Sequence, residues 1–403
     1  MAQPKKRVAV IYGSRSVEHD VSIITAQQVM AALDKNKYDV TPIYITRKGS
    51  WYTHPSLFTG SPTTDIQYHN KLIEVDYSDS AIALPPDPQI HGLLSPAITG
   101  LLGRTKVLPI DVAVPVVHGT YGEDGTLQGV LEMADIPYVG SGVVGSAVGM
   151  DKIMTKAVLQ AHGIAAVAFT WFTRREWEQH PAAVLERVQR EVGLPAFVKP
   201  ANLGSSIGIS KATNTEQLRD AIEVAQSYDS RILVERAVEQ VMEINCAVMG
   251  NYEPFASVCE QPVSWNEFLN FDDKYLQSGD MSGMKGAQRR IPAPISDDLT
   301  RQIQTMAVTA FRAMGCFGLA RVDFLVDQRD NTVYLNEFNT TPGSFSFYLW
   351  SASGLRPVEV MDRLLELALE AHAEKRKTTF VYKSSVLDSS VLALGSGKSG
   401  LKK

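Results

Sequence analysis

The chain has 403 residues, of which 44% are hydrophobic and 21% are charged, and its net charge is -5. This length is too great for one ordinary hydrophobic core, so we expect two or three domains. The mild acidity excludes general nucleic-acid binding, which needs concentrated Lys and Arg. No apolar run reaches the roughly eighteen residues of a membrane span, and the polar, basic start lacks the apolar core of a signal peptide. We therefore expect a cytoplasmic protein without a membrane partner.

The first segment, residues 1–147, is predicted to be an α/β domain. Its predicted elements are, in chain order, a strand at residues 8–12, a helix at 19–33, and strands at 40–45 and 111–117. Glu18 follows the glycine turn after the first strand, and His118 follows the last strand. Polar groups at the carboxyl ends of strands are where α/β sheets bind ligands. Both residues are therefore candidates for a ligand site.

A second segment, residues 148–240, is predicted to carry a phosphate-binding turn. Its predicted elements are a helix at residues 151–162, a strand at 196–199, a glycine-rich turn at 204–208 and a strand at 232–235. Lys199 ends a strand just before the turn. Backbone N–H groups of such a turn can approach phosphate oxygens, and a lysine supplies a point charge. An ordinary turn between strands fits the same pattern, so both interpretations stay open.

The third segment, residues 241–376, begins with strands and includes a polar stretch at 264–290. Glycines and aromatic residues in that stretch predict a lid that closes over the site and excludes water, although a plain flexible loop is the alternative. Two helices are predicted at residues 297–314 and 357–373. The remaining residues, 377–403, are predicted to be a mobile tail.

The most informative segment is a predicted hairpin at residues 321–343 with its turn at 328–331. Side chains alternate between the two faces of a strand. Arg321 and Asp323 are therefore predicted to share one face of the first strand, and Leu335, Glu337 and Asn339 one face of the second. Folding back at the turn brings Asp323 opposite Glu337 or within a residue of it. Two carboxylates in apolar surroundings need a positive partner, and oxygen donors that include a carboxamide suit Mg²⁺. The alternative is a surface hairpin with solvated acids.

Several further charged residues fit a nucleotide. Four cations are candidates to surround a triphosphate: Lys152, Lys199, Lys274 and Arg321. Glu235 ends a β-rich run, and Glu243 follows it eight residues later. Such carboxylates could accept hydrogen bonds from an adenine amino group and ribose hydroxyls, but a solvated acid pair fits nearly as well.

Together, these residues and their neighbours resemble the D-alanine-D-alanine ligases of the ATP-grasp superfamily. The similarity covers residues 7 to about 372. The matching motifs lie, in order, at residues 16–22, 118–129, 139–142, 149–152, 199–206, 273–275 and 336–343. The resemblance implies a three-domain fold of α/β and α+β type. A Rossmann-like N-terminal domain, residues 1–147, would precede two lobes, 148–240 and 241–376, that hold ATP between them.

The resemblance also implies a reaction. ATP would phosphorylate the carboxylate of a first D-alanine, and the amine of a second D-alanine would attack the acylphosphate to give D-alanyl-D-alanine for peptidoglycan synthesis. The implied catalytic residues are Glu18, Ser205, Tyr275, Arg321 and Gly343, and the implied substrate-binding residues are His118 and Tyr348. The implied ATP ligands are Lys152, Lys199, Ser206, Glu235, Glu243 and Lys274. Two Mg²⁺ or Mn²⁺ ions would be bound by Asp323, Glu337 and Asn339. A homodimer formed through the N-terminal domain is also implied.

Two departures from the family pattern bear on the substrates. Arg236 stands where lysine is frequent, and Tyr348 stands where a small serine normally binds the carboxylate of the second substrate. Tyr348 therefore leaves open a second substrate such as D-serine or D-lactate, while Tyr275 favours an amino acid. A further alternative is a nucleotide-binding protein that has lost ligation, against which the intact set of site residues argues.

Overall fold

The structure is a computed structural model that describes residues 4–54, 57–58, 81–96, 105–263, 288–382 and 384. Within those ranges, no helix is both long and apolar enough to cross a membrane. Lys274, Tyr275, nearly all of the predicted lid and most of the predicted tail lie outside the described residues. What the sequence indicates for them stays a prediction.

The N-terminal segment forms around a four-stranded sheet. Its elements are β1 (Lys6–Gly13), α1 (His19–Ala32), β2 (Tyr38–Ile45), β3 (Trp51–Tyr52), β4 (Gly92–Ser95), β5 (Lys106–Pro109), β6 (Val112–Pro115), α2 (Thr126–Met133) and α3 (Val143–Met150). The sheet has the order β3-β2-β1-β6, and β1 runs parallel to both β2 and β6. The predicted α/β opening is confirmed. The carboxyl ends of β1 and β6 therefore meet at one edge.

Ser22, on α1, ties these two strand ends together. Its hydroxyl accepts a hydrogen bond from the Gly13 N–H at 2.8 Å and donates one to the Val116 carbonyl at 2.6 Å. Gly13 has a φ of +94°, and a Cβ there would lie 2.2 Å from the Ile45 carbonyl oxygen. Only glycine fits this turn, which carries the chain to Glu18 at the start of α1.

The central segment is an antiparallel sheet with helices packed against it. Its elements are α4 (Lys152–Ala161), β7 (Phe169–Thr173), α5 (Arg174–Gln179), α6 (Pro181–Glu191), β8 (Ala196–Pro200), β9 (Ser210–Ala212), α7 (Thr215–Gln226) and β10 (Arg231–Arg236). The strand order is β7-β10-β8-β9. The helix and the two strands predicted here are confirmed. Apolar residues of α6, α7 and the strands, among them Val188, Leu218 and Ile232, form one core.

The C-terminal segment is a second antiparallel sheet. Its elements are β11 (Val241–Gly250), β12 (Phe255–Val263), β13 (Gln288–Arg290), α8 (Asp297–Ala313), β14 (Gly318–Asp327), β15 (Thr332–Asn339), a 3-10 turn (Gly343–Ser346), α9 (Phe347–Ala352) and α10 (Pro357–Lys375). The strand order is β13-β12-β11-β14-β15. Both helices predicted in this segment are confirmed.

The predicted hairpin is β14 with β15, and its polar register is as expected. Asp323 lies opposite Glu337, and Arg321 lies opposite Asn339. The turn occupies residues 328–331, between the two strands. Both carboxylates therefore project from neighbouring strands at the same level.

One detail of the hairpin prediction is wrong. Leu335 does not share a face with Glu337, because the register shifts next to Asp323 and pairs Leu335 with Phe324. Leu335 and Phe324 both lie in the hydrophobic core. The shift is a β-bulge that adds Asn336 to β15, and one extra residue reverses the side-chain alternation. Asn336 and Glu337 consequently both line the pocket described below.

The N-terminal sheet shares a core with the C-terminal segment. Tyr12 of β1, Trp350 of α9 and Leu364 of α10 belong to one buried cluster. Residue 147, where the sequence predicts a domain boundary, lies inside α3, and residue 240 lies in the connection between β10 and β11. Burial of this shared apolar surface holds the N-terminal sheet against the C-terminal sheet.

Candidate active site

A pocket lies between the three larger sheets and is lined by residues from each of them or from their loops. It brings together most of the predicted site residues that the structure describes. These are Glu18, Lys152, Lys199, Ser205, Ser206, Glu235, Glu243, Arg321, Asp323, Glu337, Asn339 and Tyr348. Among the described residues, the predicted His118 and Gly343 lie outside the lining. Gly343 begins the 3-10 turn that follows β15.

The carboxylate of Glu18 meets the glycine-rich turn at one side of the pocket. Ser205 donates its hydroxyl hydrogen to Glu18, and both side chains are buried. Ser205 and Ser206 have φ angles of +54° and +59°. A Cβ on Gly204 would lie only 2.7 Å from Oε2 of Glu18. The turn thus needs glycine at this position so that the carboxylate can approach it.

His118 lies just behind this side of the pocket. Its Nε2 is 2.9 Å from the Thr25 hydroxyl, which also accepts a hydrogen bond from the Ser344 N–H at 3.3 Å. Burial lowers the pKa of His118 to about 4, so the ring is neutral at pH 7. His118 and Thr25 therefore help to hold the turn after the hairpin against α1.

Glu123 is a pocket residue to which the sequence assigns no role. Its carboxylate accepts hydrogen bonds from the backbone N–H of Gly119 at 3.0 Å and of Thr341 at 2.8 Å. Burial raises its pKa, and the nearby charge of Glu18 raises it further. Glu123 thus joins the loop after β6 to the end of β15, and it adds a second carboxyl group beside Glu18.

Three lysines and Glu235 form an ionic cluster at the central sheet. Nζ of Lys156 lies 2.9 Å from Oε2 of Glu235, and Lys199 pairs with the other carboxylate oxygen. Nζ of Lys152 lies 3.3 Å from Oε1 of Glu337. Burial alone would raise the pKa of Glu235, but the two lysines outweigh it and lower the pKa to about 2. The excess of positive charge suits phosphate groups.

The hairpin supplies the opposite wall. The guanidinium of Arg321 donates two hydrogen bonds of 2.7 Å to the two oxygens of Asp323. The Asn339 amide donates to Asp323 at 3.0 Å. Burial alone would lower the pKa of Arg321, but the charge of Asp323 and their hydrogen bonds outweigh it and raise the pKa. Arg321 therefore stays charged.

The oxygen donors on the hairpin fit a divalent cation. Asp323 and Glu337 lie opposite each other, Asn339 lies two residues beyond Glu337, and all three line the pocket. Within the described ranges, no group of three His, Cys, Asp or Glu side chains is arranged to hold a metal ion, and the hairpin offers two carboxylates and one carboxamide. Carboxylate and amide oxygens are the donors that Mg²⁺ and Mn²⁺ prefer.

Tyr348 closes the end of the pocket beside Arg321. Its hydroxyl donates to Oε1 of Glu260 at 2.5 Å, and burial raises the pKa of the phenol, which stays protonated. The guanidinium of Arg289 lies 4.0 Å from the centre of the Tyr348 ring. Tyr348 thus belongs to a polar cluster that the sequence does not reveal.

Sequence reasoning missed four charged residues of the pocket: Glu123, Lys156, Glu260 and Arg289. A signal existed for two of them. Lys156 lies four residues after Lys152, which places both on one helix face. Glu123 lies within the matching motif at residues 118–129. Glu260 and Arg289 have no local pattern, since pairing of β12 with β13 brings their strands together.

The fold and the pocket together define the class of this protein. Two antiparallel sheets contribute to one cation-rich pocket, and an N-terminal α/β domain lies beside it. This arrangement is the ATP-grasp architecture. The family profile described as "D-ala D-ala ligase N-terminus" matches residues 7–141, and "D-ala D-ala ligase C-terminus" matches residues 158–366. The chain belongs to the D-alanine-D-alanine ligase family.

Individual relatives match nearly the whole chain. A D-alanine-D-alanine ligase of Chloroherpeton thalassium is 41% identical over 382 residues, which cover 92% of this chain and 98% of the relative. One from Geobacillus thermodenitrificans is 40% identical and covers 94% of this chain and 99% of the relative.

Solved structures agree with this assignment. The D-alanine-D-alanine ligase from Coxiella burnetii is similar with a TM-score of 0.76 and 32% identity, covering 93% of this chain and 97% of that one. The VanG D-Ala:D-Ser ligase from Enterococcus faecalis has a TM-score of 0.76 and 31% identity, covering 91% of this chain and 100% of that one.

Proposed function

We propose that this chain is an ATP-dependent carbon-nitrogen ligase that joins two D-alanines into D-alanyl-D-alanine for peptidoglycan precursor synthesis. The observation that carries the proposal is the convergence of three parts in one pocket. They are the pair Glu18 and Ser205, the lysine cluster around Glu235, and the Asp323 and Glu337 hairpin. Relatives named D-alanine-D-alanine ligase, 41% and 40% identical over nearly their whole length, support it.

The lysine cluster is the proposed nucleotide end. Lys152 and Lys199 bind the α- and β-phosphates, and the turn at Ser206 covers them with backbone N–H donors. Glu235 and Glu243 accept hydrogen bonds from the adenine amino group and the ribose hydroxyls. Lys274, outside the described residues, stays the predicted contact of the transferred phosphoryl group. Because Lys156 neutralises one oxygen of Glu235, Lys199 can turn toward phosphate without leaving a buried carboxylate unpaired.

Asp323, Glu337 and Asn339 are the proposed ligands of two Mg²⁺ or Mn²⁺ ions. When bound, these ions would neutralise phosphate charge and let a carboxylate approach the γ-phosphoryl group. In this structure Arg321 and Lys152 pair with the two carboxylates, so the hairpin already lies in positive surroundings.

The first step is phosphorylation of a D-alanine. Glu18, held by Ser205, accepts a hydrogen bond from the substrate ammonium, and Tyr275 is predicted to complete this set. His118 is neutral and positions the neighbouring turn. A carboxylate oxygen of the substrate bonds to the γ-phosphorus, the bond between that phosphorus and the β–γ bridging oxygen breaks, and ADP leaves. The product is D-alanyl phosphate, a reactive mixed anhydride.

The second step forms the peptide bond. The ammonium of the second D-alanine gives one proton to water, its amine forms a bond to the acyl carbon, and the nitrogen gives a further proton to the departing phosphate. Arg321 and the N–H of Gly343 stabilise the oxyanion of the tetrahedral centre, because fixed donors act strongly where water is excluded. Collapse of that centre expels inorganic phosphate. Tyr348 forms the wall of the second-substrate site.

Incubation of the purified protein with ATP, Mg²⁺ and D-alanine tests the proposal. ADP release and mass-spectrometric identification of the dipeptide measure the reaction, and omission of D-alanine is the control. D-alanyl-D-alanine should form together with ADP. Its absence at saturating substrate would refute the proposal.

The second substrate decides between related activities. The bulk of Tyr348 and the likeness to a D-Ala:D-Ser ligase structure favour a trial of D-serine and D-lactate beside D-alanine. A mixed product formed in preference to D-alanyl-D-alanine would make the chain a ligase with a different second substrate. Nucleotide binding without turnover of any pair would instead indicate a non-catalytic protein.

A cytoplasmic location and a homodimer through the N-terminal domain stay part of the proposal. Supply of ATP and the use of the dipeptide for cell-wall precursors both favour the cytoplasm. Light scattering on the purified protein measures the mass of the particle, and a monomer would contradict the dimer.

A further inference from the structure

Four polar side chains form a connected cluster at the Tyr348 end of the pocket. Asn245 donates to Oε1 of Glu260 at 3.0 Å, and the Tyr348 hydroxyl donates to the same oxygen at 2.5 Å. Nη1 of Arg289 lies 3.5 Å from Oε2 of Glu260, above the Tyr348 ring. Glu260 is only 2% exposed. A buried carboxylate is costly unless it is paired, and Arg289 supplies the cation that pairs with Glu260.

The cluster changes what Tyr348 itself can do. Its hydroxyl hydrogen is directed to Glu260, so the phenol is not set up to donate to a substrate carboxylate. A carboxylate at this end of the pocket then needs another donor. A cation is the suitable group, because charge-assisted hydrogen bonds to carboxylates are the strong ones.

The other described cations of the pocket are engaged elsewhere. Arg321 holds both oxygens of Asp323, and the lysines lie with Glu235 and Glu337 at the nucleotide end. Among the residues that the structure describes, Arg289 is the cation that lines the pocket in contact with the Tyr348 ring. A guanidinium carries five N–H donors in a fixed fork, enough to hold Glu260 and a second carboxylate together.

Arg289 also lies on the correct side of the reacting centre. Asn245 lies opposite Glu260 on β12 and opposite Asp323 on β14, and Asp323 is bound by Arg321, so the cluster adjoins the proposed oxyanion site. The amine of an α-amino acid is two bonds from its carboxyl carbon. A carboxylate held at Arg289 therefore keeps the amine near the acyl carbon at Arg321.

Resting on the ligation proposed above, we propose that Arg289 binds the carboxylate of the second substrate, with Glu260 and Tyr348 as its positioning residues. The site selects an acceptor with a free carboxylate, because that group forms an ion pair with Arg289. An acceptor whose carboxylate is replaced by an amide loses the ion pair and is selected against.

Competition between D-alanine and D-alaninamide tests this proposal. The amide has an amine but no carboxylate, so it can act only as the acceptor, and mass spectrometry distinguishes D-alanyl-D-alanine from D-alanyl-D-alaninamide. The wild type should prefer D-alanine. Arg289→Met should lower the ratio of D-alanyl-D-alanine to D-alanyl-D-alaninamide about 10- to 100-fold, because loss of a charged hydrogen bond has an effect of this size. It should also raise the KM of the second D-alanine while the ATP KM stays unchanged.

Arg290→Met is the matched control. Arg290 is the next residue on β13, is exposed, and contacts Gln261 at 3.5 Å, so its loss should leave the product ratio unchanged. Arg289→Lys keeps a charge and should give an intermediate ratio, which decides the case if the methionine variant forms no product.

Three results would overturn the proposal. The role of Arg289 is wrong if an active Arg289→Met enzyme has the wild-type ratio of D-alanyl-D-alanine to D-alanyl-D-alaninamide. It is also wrong if Arg289→Lys shifts this ratio no further than Arg290→Met does. Neither result affects the proposed ligation. Absence of any dipeptide from the wild type overturns the proposed ligation, and this proposal with it.

Discussion

The buried pair of Lys156 and Glu235 allows a sharp test of the lysine cluster. Both side chains are almost completely buried, with exposed fractions of 1% and 2%, and their charged atoms are 2.9 Å apart. Lys199 pairs with the other oxygen of Glu235. Glu235→Gln would leave two lysine cations facing each other without an anion. Breaking a buried pair in this way costs about 3–5 kcal/mol of unfolding free energy.

The lysine variant should cost less. Lys156→Met keeps most of the volume of the side chain, and Lys199 still neutralises Glu235, so we expect a loss of about 1–3 kcal/mol. In the double variant neither the extra cation nor the anion remains. The combined loss should therefore fall short of the sum of the two single losses by about 1–3 kcal/mol.

Urea denaturation of the four proteins measures this cycle, and titration with an ATP analogue gives a second result. Lys156→Met should weaken nucleotide binding, because Lys199 is then the one cation among the described residues that pairs with Glu235 and is less able to turn toward phosphate. Arg363→Met, which removes an exposed pair with Glu366, is a control that should change neither quantity measurably. Additive losses within about 0.5 kcal/mol would show that the two side chains do not interact as the structure indicates.

Three further predictions concern the rest of the site. Glu337→Gln should abolish Mg²⁺-dependent turnover while the melting temperature stays near that of the wild type, and normal activity would refute the metal assignment. Gly204→Ala should reduce kcat/KM for the first D-alanine about tenfold with little change in stability, since its Cβ would lie 2.7 Å from Oε2 of Glu18 and displace that carboxylate. Gly129→Ala is its control, because a Cβ there meets nothing within 4 Å, and equal effects of the two would count against the contact. His118 has its pKa lowered to about 4, so the unfolded state takes up this proton first as the pH falls from about 6.5. The contribution of His118 to the free energy of unfolding should thus decline between about pH 6.5 and 4, by up to about 3 kcal/mol. It is measured as the difference between the wild type and His118→Gln, and equal pH slopes of the two proteins would contradict this.

The sequence alone predicted the parts of the site that depend on local patterns. The strand, turn and helix around Glu18 follow from a glycine between two periodic segments, and the facing of Asp323 and Glu337 follows from strand alternation and a short polar turn. Such features depend on neighbours a few residues apart in the chain. The order of the motifs along the chain then allowed the family to be recognised.

The prediction for Leu335 failed because strand alternation assumes regular pairing. The β-bulge at Asn336 reverses the alternation, and no local signal separates a regular strand from a bulged one here. Burial of Leu335 in the core compensates for the irregular ladder. Tertiary packing therefore decided which face of β15 each residue occupies.

The tertiary structure also decided which polar residues share the pocket. Tyr348 and Glu260 are 88 residues apart in sequence, and Lys156 meets Glu235 only because α4 packs beside β10. A buried charge needs a partner, but the partner's position in the chain is set by the pairing and packing of distant elements. The sequence by itself determined that the chain has phosphate-binding and carboxylate-rich motifs in family order. Only the fold decided that the hydroxyl of Tyr348 is directed to Glu260 and that Arg289 stands beside it, because the contacts involved are non-local.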